Sequence, residues 1–294
     1  MTLNNRDCPY PRICAHRGYN FVAPENTLPA YALAVAMGAE EIELDLWPSK
    51  DGDLIVCHDP YVDRTTDGTG TITELTTAQI RALDAGVNGG EAYKGIHLPL
   101  FDEVLDLVGG KTILNIHIKS SLKNRLRPEK MVERGKDLNR RHAAHEVLLP
   151  PLREGIEDVI PELETRPIVP YDEGIFNKIL EALDRHHCRE YAYITGEADV
   201  LTTARKLAPD MPRCCLEGHM NFSIVEHALE YGCEKVQFCK GLTTQAMIDK
   251  AKANGLICNL FWADTREEAE AYLAIGIDCV LTNNYQPVSL AIKK

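Results

Sequence analysis

A chain of 294 residues, 45% of them apolar, has material for one large α/β domain or two ordinary ones and lacks the composition of a disordered segment. Its 44 acidic and 32 basic residues leave a net charge of −12. That excludes a general nucleic-acid binder, which needs a basic face, but not a small phosphate-bearing substrate, which needs only a local positive site.

No apolar run approaches the roughly 18 residues of a membrane span, and the opening MTLNNRDCPYPRI has no apolar core of a secretory signal. The ten cysteines are scattered, and none shows CxxC spacing. They are expected to be reduced, mostly buried thiols of a cytoplasmic enzyme rather than disulfides or zinc ligands.

Predicted strands in chain order are Ile13–Ala15, Glu41–Trp47, Thr112–Ile118, Glu190–Ile194, Pro212–Leu216, Lys235–Phe238, Leu256–Phe261 and Cys279–Thr282. Helical periodicity fills the gaps at about Thr27–Met37, Phe101–Val108, Ile175–His186, Ala198–Leu207, Ser223–Tyr231, Thr244–Asn254 and Arg266–Ala274, with a short helix after Pro287. The segments AMGAEEIELDL, EYGCEKVQFC, KANGLICNLF and AIGIDCVLTN share one pattern: a helix end, a glycine, then a short apolar strand. Glycine suits the position just past a helix end, and strands that follow helices this regularly build a parallel sheet. The count fits a closed (β/α)8 TIM barrel formed as a single domain over residues 1–294. A doubly wound open sheet is the alternative, but its glycine-rich first turn is missing.

Two stretches break the repeat. Residues 59–99 are rich in turns and threonine and read as an insertion after strand two. Residues 121–172 are longer, and nine lysines and arginines fall between Lys119 and Arg141 against three acids. RPEKMVERGKDLNRRHAAHEVLL reads as one helix with Pro128 in its first turn. This segment leaves strand three beside Lys119, so it is either a lid over the barrel mouth or a solvated surface helix.

Side chains at the C-terminal ends of barrel strands face the active site. Strand one ends in His16-Arg17-Gly18, and strand two carries Glu43 and Asp45 on one face. A return segment, LIVCHD, ends in His58-Asp59, and strand three carries His117 and Lys119. Each has an ordinary alternative: a hydrogen-bonded core histidine, or carboxylates on a solvated face. The opposite face of EEIELDLW is apolar, however, so Glu43 and Asp45 point inward. Two buried carboxylates are costly unless a cation relieves them, and oxygen donors suit Mg²⁺ or Ca²⁺.

The run HRGYNFVAPENTLPAYALAVAMGAEEIELDLWPSKDGDLIVCHDPYVDRTTDGTG resembles the signature of the glycerophosphodiester phosphodiesterase family. It carries HRG at His16, PENT at Pro24, Glu-x-Asp at Glu43, KDG at Lys50, HD at His58 and RTT at Arg64. Weaker similarity continues to the last strand, while residues 121–172 have no match in that pattern. The resemblance implies a TIM barrel, a divalent metal, and hydrolysis of a small glycerophosphodiester to sn-glycerol 3-phosphate and an alcohol. By position it makes His16 and His58 the acid–base pair and Glu43 and Asp45 metal ligands. Arg17 and Lys119 fall around the phosphate.

This sequence departs from the family pattern in three places. His117 replaces a glutamate that acts as the third metal ligand. It is therefore either a ligand, favouring Mn²⁺, Co²⁺ or Zn²⁺ over Mg²⁺ or Ca²⁺, or a residue that hydrogen-bonds a metal-bound water or the substrate. Asn283 stands where Thr-Asp is usual, and LFWADT replaces Trp-Thr-Val-Asn, with Trp262 left to line the substrate pocket. A lysophospholipase D, a phosphodiesterase for another polar head group and a catalytically silent binding barrel are the competing readings.

Overall fold

The computed structural model describes residues 8–124, 129–144, 146–150 and 167–292. Pro128 and parts of the basic segment lie outside the described residues. The parallel strands are β1 (Arg12–His16), β2 (Glu41–Pro48), β4 (Ile113–Ile118), β5 (Ala192–Gly196), β6 (Arg213–Cys215), β7 (Lys235–Cys239), β8 (Ile257–Phe261) and β9 (Cys279–Thr282). β1 pairs with β2 on one side and β9 on the other, so the sheet closes on itself and the open-sheet alternative falls. β3 (Leu54–Val56) runs antiparallel to the end of β2.

Each barrel strand divides its side chains by the period of two. On β2, Ile42, Leu44 and Leu46 point outward into the main apolar core, while Glu41, Glu43 and Asp45 point into the barrel, all buried. Helices cover the outer face. α1 (Leu28–Ala36) starts with a proline in its first turn and buries Ala30, Tyr31 and Ala34 against the strands. After β3 come α2 (Thr77–Arg81) and α3 (Phe101–Val108), and α3 buries Phe101, Val104, Leu105 and Val108. α4 (Glu129–Ala143) and α5 (Glu173–Arg185) follow β4. Around the rest of the barrel run α6 (Ala198–Leu207), α7 (Ile224–Glu230), α8 (Gln245–Ala253), α9 (Arg266–Ala274) and α10 (Tyr285–Ser289).

The strand boundaries differ from expectation by one or two residues. β5 begins at Ala192 because Arg189–Tyr191 form a tight helical turn first. The last helix starts at Tyr285 rather than after Pro287. The proline falls in its first turn, where a missing N–H costs nothing.

The barrel floor is polar where such cores are usually branched and apolar. Arg12 Nη1 donates to Glu41 Oε2 at 3.1 Å, and the Tyr193 hydroxyl donates to Glu41 Oε1 at 2.5 Å. Asn259 Nδ2 in turn donates to the Tyr193 oxygen at 2.9 Å. One layer higher, Asn115 takes a bond from Thr195 Oγ1 at 2.5 Å and gives one to Gln237 Oε1 at 2.9 Å. All ten cysteines are free and, apart from half-buried Cys8, buried. Among the described residues no helix is long and apolar enough to cross a membrane.

Residues 59–99 build a satellite core against the end of β2 and β3. Trp47, Ile55, Cys57, Val62, Ile72, Ile80, Ala85 and Leu98 pack together beside the barrel. The basic helix α4 crosses to the loops after β6, β7 and β8. Arg134 Nη1 donates to the Met220 carbonyl at 2.5 Å, and Leu138 is buried against Gly241. His142 stacks on Trp262 with centroids 4.2 Å apart.

The Arg12–Glu41 pair yields a direct test. Removing one partner of a buried ion pair leaves the other charge desolvated, at about 3–5 kcal/mol. Glu41→Ala is expected to lower unfolding free energy in urea by that amount, and an unchanged midpoint would rule out a stabilising role for this floor.

Candidate active site

β1 delivers His16 to the mouth, and the next two residues turn the chain sharply. Arg17 has φ +57° and Gly18 has φ +82°. A Cβ at Gly18 would sit 2.7 Å from the Ala30 carbonyl carbon of α1, so only glycine lets the helix approach. The left-handed Arg17 points its backbone N–H at Glu43 Oε2, 3.1 Å away. Register does the rest: His16 lies beside Glu43 across β1–β2, and Asp45 lies beside His117 across β2–β4.

Glu43, Asp45 and His117 each offer one donor atom, and these atoms all lie within 4.8 Å of one another. His117 Nδ1 is 3.0 Å from Asp45 Oδ1 and 3.9 Å from Glu43 Oε1. Lys119 Nζ stands 3.0 Å from the same Nδ1 and 2.6 Å from Asp45 Oδ1. Nδ1 therefore faces two opposite partners, an ammonium that only donates and a carboxylate that only accepts. The Lys119–Asp45 contact is close but misdirected, and buried Asp45 Oδ1 accepts no hydrogen bond. Two buried carboxylates, one with an unsatisfied oxygen, beside an imidazole nitrogen make a donor set that fits a divalent cation.

The electrostatics follow from burial. Desolvation, then the charge of Asp45, raises the Glu43 carboxyl well above its ordinary range. Burial also opposes ionisation of Asp45, but the Lys119 ammonium overcomes it and holds that group well below the usual value. Burial and the Lys119 charge bring His117 down to about 4. His16 is pushed well below its ordinary range by burial and by Arg17.

β3 brings His58 back over the mouth. The Cys57 N–H donates to the Asp45 carbonyl at 3.0 Å, and the Trp47 indole donates to the His58 carbonyl at 3.3 Å. His58 Nδ1 lies 2.6 Å from Asp59 Oδ1. Arg64 Nε donates to Asp59 Oδ2 at 2.6 Å, and its two terminal nitrogens grip Glu25. Glu25 also receives Arg17 Nη1 at 3.0 Å. The chain of charges therefore runs His58–Asp59–Arg64–Glu25–Arg17 and ties the two histidine-bearing loops together. Burial works against ionised Glu25, yet Arg17 and Arg64 bring it down to about 2.

Comparison with known proteins decides the family. The profile of the "Glycerophosphoryl diester phosphodiesterase family" matches residues 16–147. A glycerophosphodiester phosphodiesterase of Caldanaerobacter subterraneus subsp. tengcongensis is 44% identical over 291 residues, 96% of this chain and 98% of its own. The chain belongs to the glycerophosphodiester phosphodiesterase family. It is an enzyme of the phosphoric diester hydrolase class. Among solved structures, a phosphodiesterase from Oleispira antarctica superposes with TM-score 0.74 at 23% identity, covering 97% of this chain and 98% of that one. One from Galdieria sulphuraria gives 0.71 at 19%, covering 97% and 98%. Both carry the same fold.

Within this phosphodiesterase, His16, Arg17, Glu43, Asp45, His58, His117 and Lys119 all converge on the mouth, and Trp262 meets the edge of His16 at 6.4 Å. Several contributors escaped sequence reasoning. Asn26, with φ +54°, donates from Nδ2 to Asp45 Oδ2 at 2.9 Å while Tyr31 donates to its Oδ1 at 2.6 Å. Glu25 and Arg64 sit in the quoted PENT and RTT motifs; charged residues in motif positions were the available signal. Asp264 had none.

His58 gives a pH test. Burial, Arg17 and Lys119 lower its pKa from about 6.5 to about 3. The unfolded chain therefore takes up this proton first, and stability is lost as pH falls from about 6.5 towards about 3. Glu43 works in the opposite sense, because its folded pKa is raised. In chelator, the stability difference between the wild type and His58→Asn should change in favour of the variant as pH falls through that window. A pH-independent difference would refute the lowered His58 pKa.

Proposed function

We propose that this chain hydrolyses small glycerophosphodiesters to sn-glycerol 3-phosphate and an alcohol, with Glu43, Asp45 and His117 holding a divalent metal. The observation that carries the reading is the convergence of two histidines, a buried carboxylate–imidazole donor set and two cations at one barrel mouth. When bound, the metal supplies Lewis-acid stabilisation of the phosphoryl oxygens. Mn²⁺, Co²⁺ and Zn²⁺ suit the nitrogen donor, and Mg²⁺ or Ca²⁺ suits the carboxylates.

The phosphodiester is anionic, and attack on phosphorus adds charge to its oxygens. Arg17 Nε is buried and makes no hydrogen bond, and Lys119 stands beside it across Asp45. Both are placed to take phosphate oxygens. Water adds to phosphorus while the bond from phosphorus to the alcohol oxygen breaks. One histidine removes the proton of the water, and the other protonates the departing oxygen. His58 is backed by the Asp59 carboxylate, which favours its protonated form, so it suits the acid once the negative phosphate offsets the Arg17 and Lys119 charges that oppose protonation. His16 is backed by the uncharged Asn283 amide and suits the base. Trp262 forms one wall of the pocket. Helix α4, stacked on it through His142, is a lid on the β6–β8 side. Free, buried thiols fit the cytoplasm, where the products of phospholipid turnover would be the substrates.

One observation favours a second reading, a lysophospholipase D. Phe21, Val22, Tyr61 and Val87 are exposed on the loops around His16 and His58, a surface suited to an acyl chain.

His16→Ala and His58→Ala should each lower kcat by about 10²–10⁴ with the fold intact; near-full activity in either removes it from the mechanism. Chelation should abolish turnover, and Glu43→Ala should lose bound metal by direct analysis. His117→Glu should shift the preference towards Mg²⁺ or Ca²⁺, and identical metal profiles would mean that His117 is not a ligand. Rates on glycerophosphocholine and lysophosphatidylcholine separate the two substrate classes.

A further inference from the structure

His16 is held from behind by a chain of three groups. Its Nδ1 lies 2.8 Å from Asn283 Oδ1. Asn20 Nδ2 donates to the same oxygen at 2.7 Å and to the His16 carbonyl at 2.8 Å. The other end of Asn283 faces Asp264: its backbone N–H donates to Oδ1 at 2.7 Å and its Nδ2 donates to Oδ2 at 3.1 Å. The Thr282 hydroxyl is a third donor to Asp264, reaching Oδ1 at 3.1 Å.

These contacts leave one consistent assignment of protons. A carboxylate only accepts, so the Asn283 NH₂ must be the end turned to Asp264. Its carbonyl oxygen then faces His16 and also only accepts. The His16 nitrogen against it must therefore carry the hydrogen. The lone pair is left on Nε2, which points to the reaction centre and stands 3.8 Å from Glu43 Oε2. The edge of Trp262 packs on the same ring at 6.4 Å and 77°.

We propose that Asp264, acting through Asn283, fixes His16 as its Nδ1–H tautomer and so selects Nε2 as the nitrogen that takes the proton in the reaction. Asn283 and Asp264 are positioning residues and touch neither phosphate nor metal. Both lie where this sequence departs from the family pattern, in LTNNYQPV and LFWADT. The amide at 283 sets the Asp264 carboxylate one hydrogen bond away from the histidine while passing on its directing effect. Alone, Asn283→Asp would set two carboxylates against each other. The inference rests on the proposed role of His16 as base, but its geometric content does not.

Nitrogen-15 NMR of the histidine rings in metal-chelated full-length protein reads the tautomer directly, with His16→Asn as the assignment control. Wild type should show protonated Nδ1 and bare Nε2 at His16. Asp264→Leu frees the Asn283 amide to rotate and should mix the tautomers. It should lower kcat about 10- to 100-fold at nearly constant KM, the size of effect carried by outer partners of metal-bound histidines. The exchange double variant Asn283→Asp with Asp264→Asn places the carboxylate directly on Nδ1. It should restore the single tautomer and most of kcat, a rescue that a purely structural role does not give. If Asp264→Leu does not fold, the exchange variant and the wild-type spectrum still decide. A bare Nδ1 in the wild type, or a mixed tautomer in the exchange variant, overturns the proposal. Full kcat in His16→Ala with the wild-type tautomer as assigned would instead overturn the base role and leave the wiring standing.

Discussion

Two carboxylates side by side on one buried strand set the terms for everything around them. Glu43 and Asp45 face the barrel interior with almost no access to water. Neither can be ionised there without a nearby positive charge or donor. Each feature of the mouth answers that demand. The left-handed Arg17 aims its backbone N–H at Glu43, Asn26 bonds Asp45, and Lys119 folds back onto it. Two of the groups that make the pair tolerable, Arg17 and Lys119, are the cations proposed to meet an anionic substrate. Stability and chemistry thus use one set of charges.

The polar floor extends the same logic downwards. Arg12, Glu41, Tyr193 and Asn259 satisfy one another beneath the site. Buried polar networks of this kind are directional, so they hold strand register more tightly than interchangeable methyl groups would. Register is what places His16 beside Glu43 and Asp45 beside His117. A slip of one residue on β2 would turn Glu43 and Asp45 into the helix layer.

Much of this was legible in the sequence, for physical reasons. Period-two alternation with glycine punctuation marks the strands, because each must bury one face against helices and the other in the barrel. The motif residues at strand ends were readable because the fold sends strand ends to one place. What escaped was long-range. Asp264 bonds Asn283 from another loop, and nothing local to either marks the contact. Helix α4 was recognisable as a helix from its composition, but its crossing to Trp262 depends on where the distant β8 loop stands. Glu25 and Arg64 lie 39 positions apart, and their fork is a tertiary fact. The polar floor was missed because Glu41 reads as one more acid in an acidic run.

The satellite core has a consequence of its own. His58 is carried by β3, a three-residue strand that pairs with the end of β2 and bridges to Leu100, and the residues beyond it pack around Trp47 rather than in the barrel. That unit has its own small set of buried contacts, and it is fastened to the main body by the short β3 ladder and by the Arg64–Glu25 and Arg81–Glu103 ion pairs. His16, by contrast, is carried by a strand paired on both sides within the closed ring. The two histidines thus depend on different parts of the fold, one on the ring and the other on a satellite unit and its ion pairs.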